Sequence, residues 1–198
     1  MVITVIVYIL FLMIVSATRL LEMQISHRNA AWAFENGGLE VGKTHFKFMV
    51  ILHTAFICSC GLEVLFTHRP FIPAVGYPML ALAISAQIIR FYTISVLGKF
   101  WNARVIVVPE RPVITCGLYK YIRHPNYLAV IVEIFALPMI HTAWITAIFF
   151  SILNAWMLTV RIRAEEQTLS KHCDYQDRFK SLGRFLPLAT RSKNLEPK

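Results

Sequence analysis

The chain has 198 residues, of which 57% are hydrophobic and 16% are charged, and its mean hydropathy is +0.57. A soluble domain has roughly 45–50% apolar and about 25% charged residues, so this composition argues against a water-soluble domain and against disorder. The net charge of +9 would suit nucleic acid, but the cations lie between apolar stretches, so no nucleic-acid partner is predicted. The four cysteines lack C-x-x-C spacing and are predicted to be free thiols, with no metal site.

Five apolar stretches approach the length of about 20 residues that crosses a bilayer. The fourth contains Pro138 near its end, and the last two have Glu133 as their only charged residue, which predicts a helical hairpin that turns near 138–141. The first has no basic segment before it and no cleavage site before Arg19, so a retained helix is predicted rather than a signal peptide. The stretches are 2–17, 48–66, 71–89, 127–140 and 142–160.

The predicted fold is therefore an all-α integral membrane protein with about five transmembrane helices. We expect one domain over 1–198, with an N-terminal three-helix part (1–90) and a core (91–198) that ends in the hairpin. The four connections contain 4, 1, 6 and 0 Lys and Arg residues, and the tail contains 9. Because successive connections alternate between the two sides of the membrane, the segments with 4, 6 and 9 basic residues all lie on the same side. Because cytoplasmic loops carry the excess of basic residues, the N-terminus is predicted outside and the tail in the cytoplasm.

The segment 37–44 matches the phosphate-binding pattern G-x-x-x-x-G-K-[ST]. Such a loop follows a buried strand and opens a helix in an α/β sheet, and no sheet is predicted here. The two aspartates, Asp174 and Asp177, do not follow an apolar strand where they would hold Mg²⁺. The segment is predicted to be a glycine turn that leads into the second helix.

Polar residues concentrate in the segments predicted to face the cytoplasm. Arg161 and Glu165 are four residues apart and share a helix face, whereas Glu166 points about 100° away from Glu165. His124 precedes Pro125 where the fourth span begins, and the free amides of that helix start suit an anionic group. From spacing alone, a salt-bridged juxtamembrane helix and a polar site both remain open.

The block Gly-Leu-Tyr-Lys-Tyr-Ile-Arg-His-Pro-Asn-Tyr at 117–127, followed by Arg161, Glu165, Glu166 and Leu169, resembles the isoprenylcysteine carboxyl methyltransferase family and its phospholipid methyltransferase relatives. Sterol reductases share a similar C-terminal block. Residues 19–22, 28–29, 37–40 and 45–63 resemble a bacterial branch associated with type III polyketide synthases. Members of that branch methylate hydroxyls of alkylresorcinols or alkylpyrones.

The resemblance implies S-adenosylmethionine as cofactor and a pocket at the cytosolic face, in a bacterial cytoplasmic membrane. It also implies a lipophilic acceptor that resides among membrane lipids, and a functional coupling to a type III polyketide synthase. Arg161 would orient or acidify the acceptor oxygen, with Glu165 as a candidate base. The cofactor would be held by Gly117, Leu118, Tyr119, Arg123, His124, Tyr127 and Glu166.

Four more residues are candidates for acceptor binding: Trp101, Asn102, Glu133 and His53. His53 is either a fallback base or a hydrogen-bonded contact between helices. Glu133 either reaches an acceptor tunnel or makes an interhelical hydrogen bond in its neutral form, and Glu63 is expected to pair with Arg69.

The leading hypothesis is an S-adenosylmethionine-dependent O-methyltransferase that acts on a hydroxyl of an alkylpyrone or alkylresorcinol lipid. The alternative within the same chemistry is methylation of an isoprenylcysteine carboxylate. Two alternatives of other classes are a membrane oxidoreductase similar to sterol reductases and a non-enzymatic membrane adaptor. The oxidoreductase lacks a glycine fingerprint after a strand, and the adaptor leaves the cluster of Arg, His and Glu unexplained.

Overall fold

The computed structural model describes residues 2–187 and consists of a helical bundle with one small sheet. Four helices are long and apolar enough to cross a membrane, and α4 is a shorter apolar helix of 15 residues. The predicted count of five apolar helices is therefore confirmed. The helices are α1 (Val2–Glu35), α2 (Lys43–Phe66), α3 (Pro73–Leu97), α4 (Pro125–Met139), α5 (Trp144–His172) and α6 (Tyr175–Phe179), and the strands are β1 (Leu39–Val41) and β2 (Val105–Val107).

Three helices run well past the apolar stretches that predicted them. α1 continues to Glu35, α3 continues to Leu97 and α5 continues to His172. Hydropathy marks only the part of a helix that suits lipid, whereas backbone hydrogen bonding continues through polar residues, so the predicted ends were too early. Three of the nine predicted tail cations, Arg191, Lys193 and Lys198, lie outside the described residues.

The predicted hairpin is confirmed, because α4 ends at Met139 and α5 begins at Trp144. The amide of Ala143 donates to the carbonyl of Pro138 over 3.0 Å and closes the turn. We call this the hairpin end of the bundle, and we call the opposite end, where α4 begins and α5 finishes, the site end. Small side chains at Ala129 and Ala136 are fully buried, which allows α4 to pack closely against its neighbours.

Glu63 holds the hairpin end together. It accepts a hydrogen bond from Arg69 over 2.9 Å, as predicted, and it also accepts from the first amides of α5, at 3.3 Å from Ile145 and 2.7 Å from Thr146. These amides have no partner inside their own helix, so a carboxylate there satisfies them and complements the helix dipole.

A second set of buried charges joins α1, α3 and α4, and we call it the inner ion network. Glu22 accepts from Arg19 over 2.6 Å and from Arg90 over 2.7 Å, and Glu133 accepts from Arg19 over 2.7 Å. Gln87 also contacts Arg19. Of the two alternatives for Glu133, the structure therefore contains the interhelical hydrogen bond, and its donor is the guanidinium of Arg19 on α1.

Two short antiparallel strands form the sheet, with Leu39 opposite Val107 and Val41 opposite Val105. The prediction that no sheet forms, and that 37–44 is only a glycine turn, is corrected here. The motif contains β1, and Gly42, with φ of +67°, ends it in the left-handed region that favours glycine. An isolated antiparallel pair differs from the parallel α/β context that a phosphate-binding loop requires.

Candidate active site

A cavity of about 520 Å³ opens within the bundle, toward the site end. Its wall includes polar residues of α4, α5 and the segment before α4, together with residues of α1 and α2. The sequence-predicted residues in this wall are Trp101, Asn102, Tyr119, Arg123, His124, Tyr127, Arg161, Glu165 and His53. The predicted residues Gly117, Leu118, Glu166 and Glu133 do not line it.

Arg161, Tyr127 and Glu165 form a hydrogen-bonded chain in the cavity wall. Arg161 Nε donates to the hydroxyl of Tyr127 over 2.9 Å, and that hydroxyl donates to Glu165 Oε2 over 2.5 Å. Arg161 also donates to the carbonyl of Ala103 and is only 5% exposed. The predicted shared face of Arg161 and Glu165 is confirmed, with the phenol of Tyr127 hydrogen-bonded to both.

Glu166 lies behind His124, outside the cavity wall. Its Oε1 is 3.0 Å from His124 Nε2 and accepts from Arg184 Nε over 3.0 Å, and its Oε2 accepts from Arg184 Nη2 over 2.5 Å. The hydroxyl of Tyr175 also donates to Oε1 over 3.3 Å. The two neighbouring carboxylates, Glu165 and Glu166, therefore have different partners, as their angular separation on the helix indicates.

Two buried phenols beside the cavity remain protonated. Burial raises the pKa of Tyr119, and the carboxylate of Glu165 adds to this shift. Burial also raises the pKa of Tyr175, with Glu166 and Glu165 as further causes. Both side chains therefore present hydroxyl groups that can donate and accept hydrogen bonds.

The segment before α4 takes its shape from Gly117 and from the residues after α6. Gly117 has φ of +60°, and a β-carbon there would lie 2.7 Å from the hydroxyl of Tyr92, so only glycine fits this turn. Arg123 Nε donates to the carbonyl of Leu182 over 2.7 Å, and the amide of His124 donates to the carbonyl of Arg184 over 3.0 Å. Gly117 and Leu118 thus shape the segment from which Tyr119 and His124 reach the cavity.

Trp101 and Asn102 connect this region to α1. Asn29 donates to the carbonyl of Trp101 over 2.7 Å, and Ser26 donates to Asn102 Oδ1 over 2.7 Å. Asn102 Nδ2 donates back to the carbonyl of Ser26 over 3.2 Å. The side-chain amide of Asn102 is thus hydrogen-bonded to Ser26 of α1, although Asn102 also lines the cavity.

His53 and the inner ion network form the part of the wall nearest α1 and α2. His53 Nδ1 is 2.8 Å from the carbonyl of Met49, so this hydrogen bond lies within α2 and does not join two helices. Arg19, Glu22 and Arg90 line the cavity, whereas Glu133 contacts it only through Arg19.

Two asparagines of the wall were missed by sequence reasoning. Asn126 Oδ1 and Asn154 Oδ1 are buried, and neither has a hydrogen-bond partner within residues 2–187. Asn126 follows the His-Pro pair directly, and Asn154 lies in an apolar span seven residues before Arg161. A lone amide in a membrane span was the available signal for Asn154.

The sequence model of the isoprenylcysteine carboxyl methyltransferase family matches residues 79–171 of this chain. An uncharacterized protein, YpbQ of Bacillus subtilis (strain 168), is 34% identical over 164 residues, which cover 82% of this chain and 96% of that protein. The chain belongs to the isoprenylcysteine carboxyl methyltransferase family. An uncharacterized protein of Haemophilus influenzae is 30% identical over 155 residues, which cover 78% of this chain and 90% of that protein.

The fold is also similar to a solved member of this family, the eukaryotic intramembrane Ras methyltransferase, with a TM-score of 0.53 and 19% sequence identity. The similarity covers 75% of this chain, and the chain spans about half, 54%, of the solved one. Together with the apolar helices, family membership identifies an integral membrane protein. The residues matched by the family model contain His124, Tyr127, Arg161 and Glu165, whereas α1 and α2 lie outside them.

Proposed function

We propose that the protein is an S-adenosylmethionine-dependent O-methyltransferase that acts on a hydrophobic acceptor resident in the membrane. The observation that carries this proposal is a single cavity with two kinds of wall. One part holds the chain of Arg161, Tyr127 and Glu165, and the other consists of residues on α1 and α2 that continue to the outside of the bundle. Such a cavity can receive a polar donor and a lipid at the same time.

The residues of the site fit the cofactor that the family implies. A volume of about 520 Å³ is in the range of small-molecule sites. Asn126 Oδ1, which lacks a donor in the part of the chain described, suits an ammonium or amino N–H, and His124 with nearby amides suits a carboxylate. Bound there, S-adenosylmethionine supplies a methyl group that its sulfonium already activates.

Glu166 takes a supporting role in this proposal. Its oxygens are already hydrogen-bonded by Arg184, His124 and Tyr175, and it does not line the cavity. We therefore assign it to positioning His124, while direct contact with the cofactor falls to Tyr119, Arg123, His124 and Tyr127, with Gly117 and Leu118 shaping the segment. This refines the role that the family resemblance implied for Glu166.

The acceptor would enter from the lipid between α1 and α2. Leu20 on α1 is 68% exposed and Val50 on α2 is 40% exposed, and both line the cavity. Thr54 and Cys58 continue this wall on α2. An alkyl chain can remain among these residues while the ring reaches Arg161, so the lipid need not leave the bilayer.

Within this arrangement, Arg161 has two tasks. Its charge favours an ionised acceptor oxygen, and its planar guanidinium, fixed by Tyr127 and Ala103, orients that oxygen. Glu165, hydrogen-bonded to Tyr127, is the carboxylate in the wall that can receive the acceptor's proton. The enzyme then contributes mainly alignment and the exclusion of water.

The proposed acceptor is a hydroxyl of an alkylresorcinol or alkylpyrone, which also implies coupling to a type III polyketide synthase. A prenylcysteine carboxylate is the alternative acceptor. Transfer of tritium from labelled S-adenosylmethionine tests both, with the purified chain in lipid nanodiscs and with alkylresorcinol, alkylpyrone and S-farnesylcysteine supplied separately. We expect the wild-type protein to form methyl ethers and the Arg161→Met variant to form none. Transfer to S-farnesylcysteine alone would show that the acceptor is the prenylcysteine carboxylate and not the polyketide hydroxyl. Transfer to none of the three compounds would contradict the proposed methyltransferase activity.

We propose that the site end faces the cytosol, as the distribution of Lys and Arg indicates. Cys116 is an exposed, free cysteine in the connection before α4 and serves as a native reporter. As the sole cysteine, Cys116 is expected to react with an impermeant maleimide only in inside-out vesicles. Pro70→Cys in a cysteine-free chain is expected to react only in right-side-out vesicles, and the reverse pattern would overturn the orientation.

A further inference from the structure

We propose that Asn154 and His53 form a hydrogen-bond-accepting subsite that binds a second hydroxyl of the acceptor, one that is not methylated. The inference rests on the proposed function, because it needs an acceptor in this cavity. The ligand class is an aromatic ring with two hydroxyl groups. Nothing in the matched family region accounts for His53, because α2 lies outside residues 79–171.

Asn154 supplies the first acceptor atom. It is 2% exposed and lies between the main cavity and a smaller one of about 220 Å³, both of which it lines. Its Oδ1 has no donor among the described residues. Asn154 and Arg161 are seven residues apart on α5, so they share a helix face and are separated by about 10 Å along the axis. A buried carbonyl oxygen without a donor is unfavourable, and a ligand N–H or O–H would satisfy it.

His53 supplies the second acceptor atom. Its Nδ1 is 2.8 Å from the carbonyl of Met49, and a carbonyl can only accept, so Nδ1 carries the hydrogen. In the neutral ring, Nε2 is then left with a lone pair and no hydrogen. His53 lines the same cavity as Asn154.

The packing of α2 against α5 brings these two residues to the same level of the bundle. The rings of Phe56 and Phe150 are 5.5 Å apart, and Glu63 accepts from the amide of Thr146 over 2.7 Å. These contacts fix an antiparallel register. One turn farther toward the site end on each helix lie His53 and Asn154.

The cations of the inner ion network already have partners. Arg19 and Arg90 in the cavity wall are bound by Glu22, and Arg19 is also bound by Glu133. The inner ion network is therefore balanced in charge, and the unmatched atoms of Asn154 and His53 are hydrogen-bond acceptors. This favours a neutral hydroxyl over an anion.

The three acceptor classes differ in the donors that they bring. A carboxylate brings none, and an alkylpyrone has one enol hydroxyl, which is the group that would react. A resorcinol has two hydroxyls, so one can be methylated near Arg161 while the other donates toward Asn154 and His53. A site built for such a hydroxyl discriminates against an analogue that lacks it.

The test compares 5-alkylresorcinol with 3-alkylphenol of the same chain length, in nanodiscs that contain the full chain. We measure the equilibrium binding of each compound by calorimetry and, separately, kcat/KM for methyl transfer. The wild-type protein is expected to favour the resorcinol by about tenfold or more, in line with one hydrogen bond to a buried acceptor. Asn154→Leu is expected to abolish this preference and to leave the affinity for S-adenosylmethionine unchanged.

Ser151→Ala is the matched control. Ser151 Oγ is also buried without a partner in the described chain, and it lines the smaller cavity of about 220 Å³ beside Asn154 but not the main one. The variant therefore distinguishes a ligand in the main cavity from an effect of the smaller one. We expect this variant to keep the preference. His53→Phe is expected to reduce the preference in the same direction as Asn154→Leu.

The outcomes separate the inference from the proposed function. Equal binding of resorcinol and phenol by the wild-type protein, or a preference that survives in Asn154→Leu, would overturn the subsite even if methyl transfer occurs. A preference for alkylpyrone that depends on Asn154 would also overturn it. An Asn154-dependent preference in binding, without transfer of tritium to any acceptor, would support the subsite and contradict the proposed activity.

Discussion

The inner ion network and the chain of Arg161, Tyr127 and Glu165 are both buried sets of charges, but they differ in how completely the charges are matched. In the inner ion network, Glu22 receives two guanidinium groups, and Glu133 receives one of them again. Arg161, in contrast, contacts a carboxylate of residues 2–187 only through the hydroxyl of Tyr127. A closely paired set of charges holds helices together, whereas an incompletely paired cation beside a cavity is available to a ligand.

Glu22→Gln removes a carboxylate from the inner ion network and should have the largest effect on stability among these variants. It leaves Arg19 and Arg90 buried beside one remaining carboxylate, and breaking a buried pair costs about 3–5 kcal/mol. We expect the free energy of unfolding to fall by this amount, measured by denaturant titration in detergent. Glu35→Gln, at an exposed position of the same helix, should change it by less than about 0.5 kcal/mol. Equal effects of both variants would contradict the assigned role of the network.

Arg161→Lys tests the incompletely matched side. An ammonium keeps the charge but loses the planar group that donates to both Tyr127 and Ala103, so kcat should fall about 100-fold. Cofactor affinity should be unchanged. The loss should be largest for a phenol, whose pKa most needs lowering, and smaller for a pyrone enol or a carboxylate. Equal losses for all three acceptors, in single-turnover experiments, would limit Arg161 to positioning.

His124→Ala and Glu166→Ala sharpen the comparison within the site. Each should weaken S-adenosylmethionine binding by about 1–3 kcal/mol. His124→Ala removes a hydrogen bond to the charged cofactor, and Glu166→Ala removes the partner that holds the imidazole of His124. Calorimetric titration measures the affinity. Lys43→Ala should leave it unchanged, since Lys43 is an exposed residue of the rejected phosphate-binding pattern. A larger loss with Lys43→Ala than with His124→Ala would refute the assignment.

Asp174 provides the smallest effect, from a charge pair near the surface. Two hydrogen bonds lower the pKa of this carboxyl below its usual range. The larger contribution comes from the amide of Val113 and the smaller one from Arg178. The unfolded state therefore binds the proton more readily, and the stabilisation is present above about pH 4 and is lost as the pH falls through the lowered pKa.

Asp174→Asn should accordingly remove a pH-dependent part of the stability that is under about 1 kcal/mol. Thermal unfolding between pH 3 and pH 7 measures it, with the exposed Asp177→Asn as control. Identical profiles for the two variants would show that the bonds to Val113 and Arg178 do not contribute.

The parts of the fold that follow from local sequence were predictable. Apolar stretches located five helices, Pro138 located the hairpin turn, and the spacing of Arg161 and Glu165 placed both side chains on one face. The recognised motif likewise led to His124 and Tyr127, both of which line the cavity.

The long-range pairings were not predictable in this way. Arg19 meets Glu133 across 114 residues of sequence, and β1 pairs with β2 across a whole helical hairpin. Hydropathy indicates how deep in the membrane a residue lies but not which residue it contacts. The partner of Glu133 was therefore open, whereas Arg69, six residues from Glu63, was predictable from the sequence. The unmatched oxygen of Asn154 is visible only once every neighbouring donor has been placed.

The small sheet makes the connection between α1 and α2 a poor place for an insertion. β1 pairs with β2, and Ala103, two residues before β2, accepts from Arg161. Altering the length of 36–42 would shift β1, then β2, and through them the carbonyl that holds the guanidinium. An affinity tag or a fluorescent protein is therefore better attached elsewhere, and natural variation in this connection should favour substitutions over changes in length.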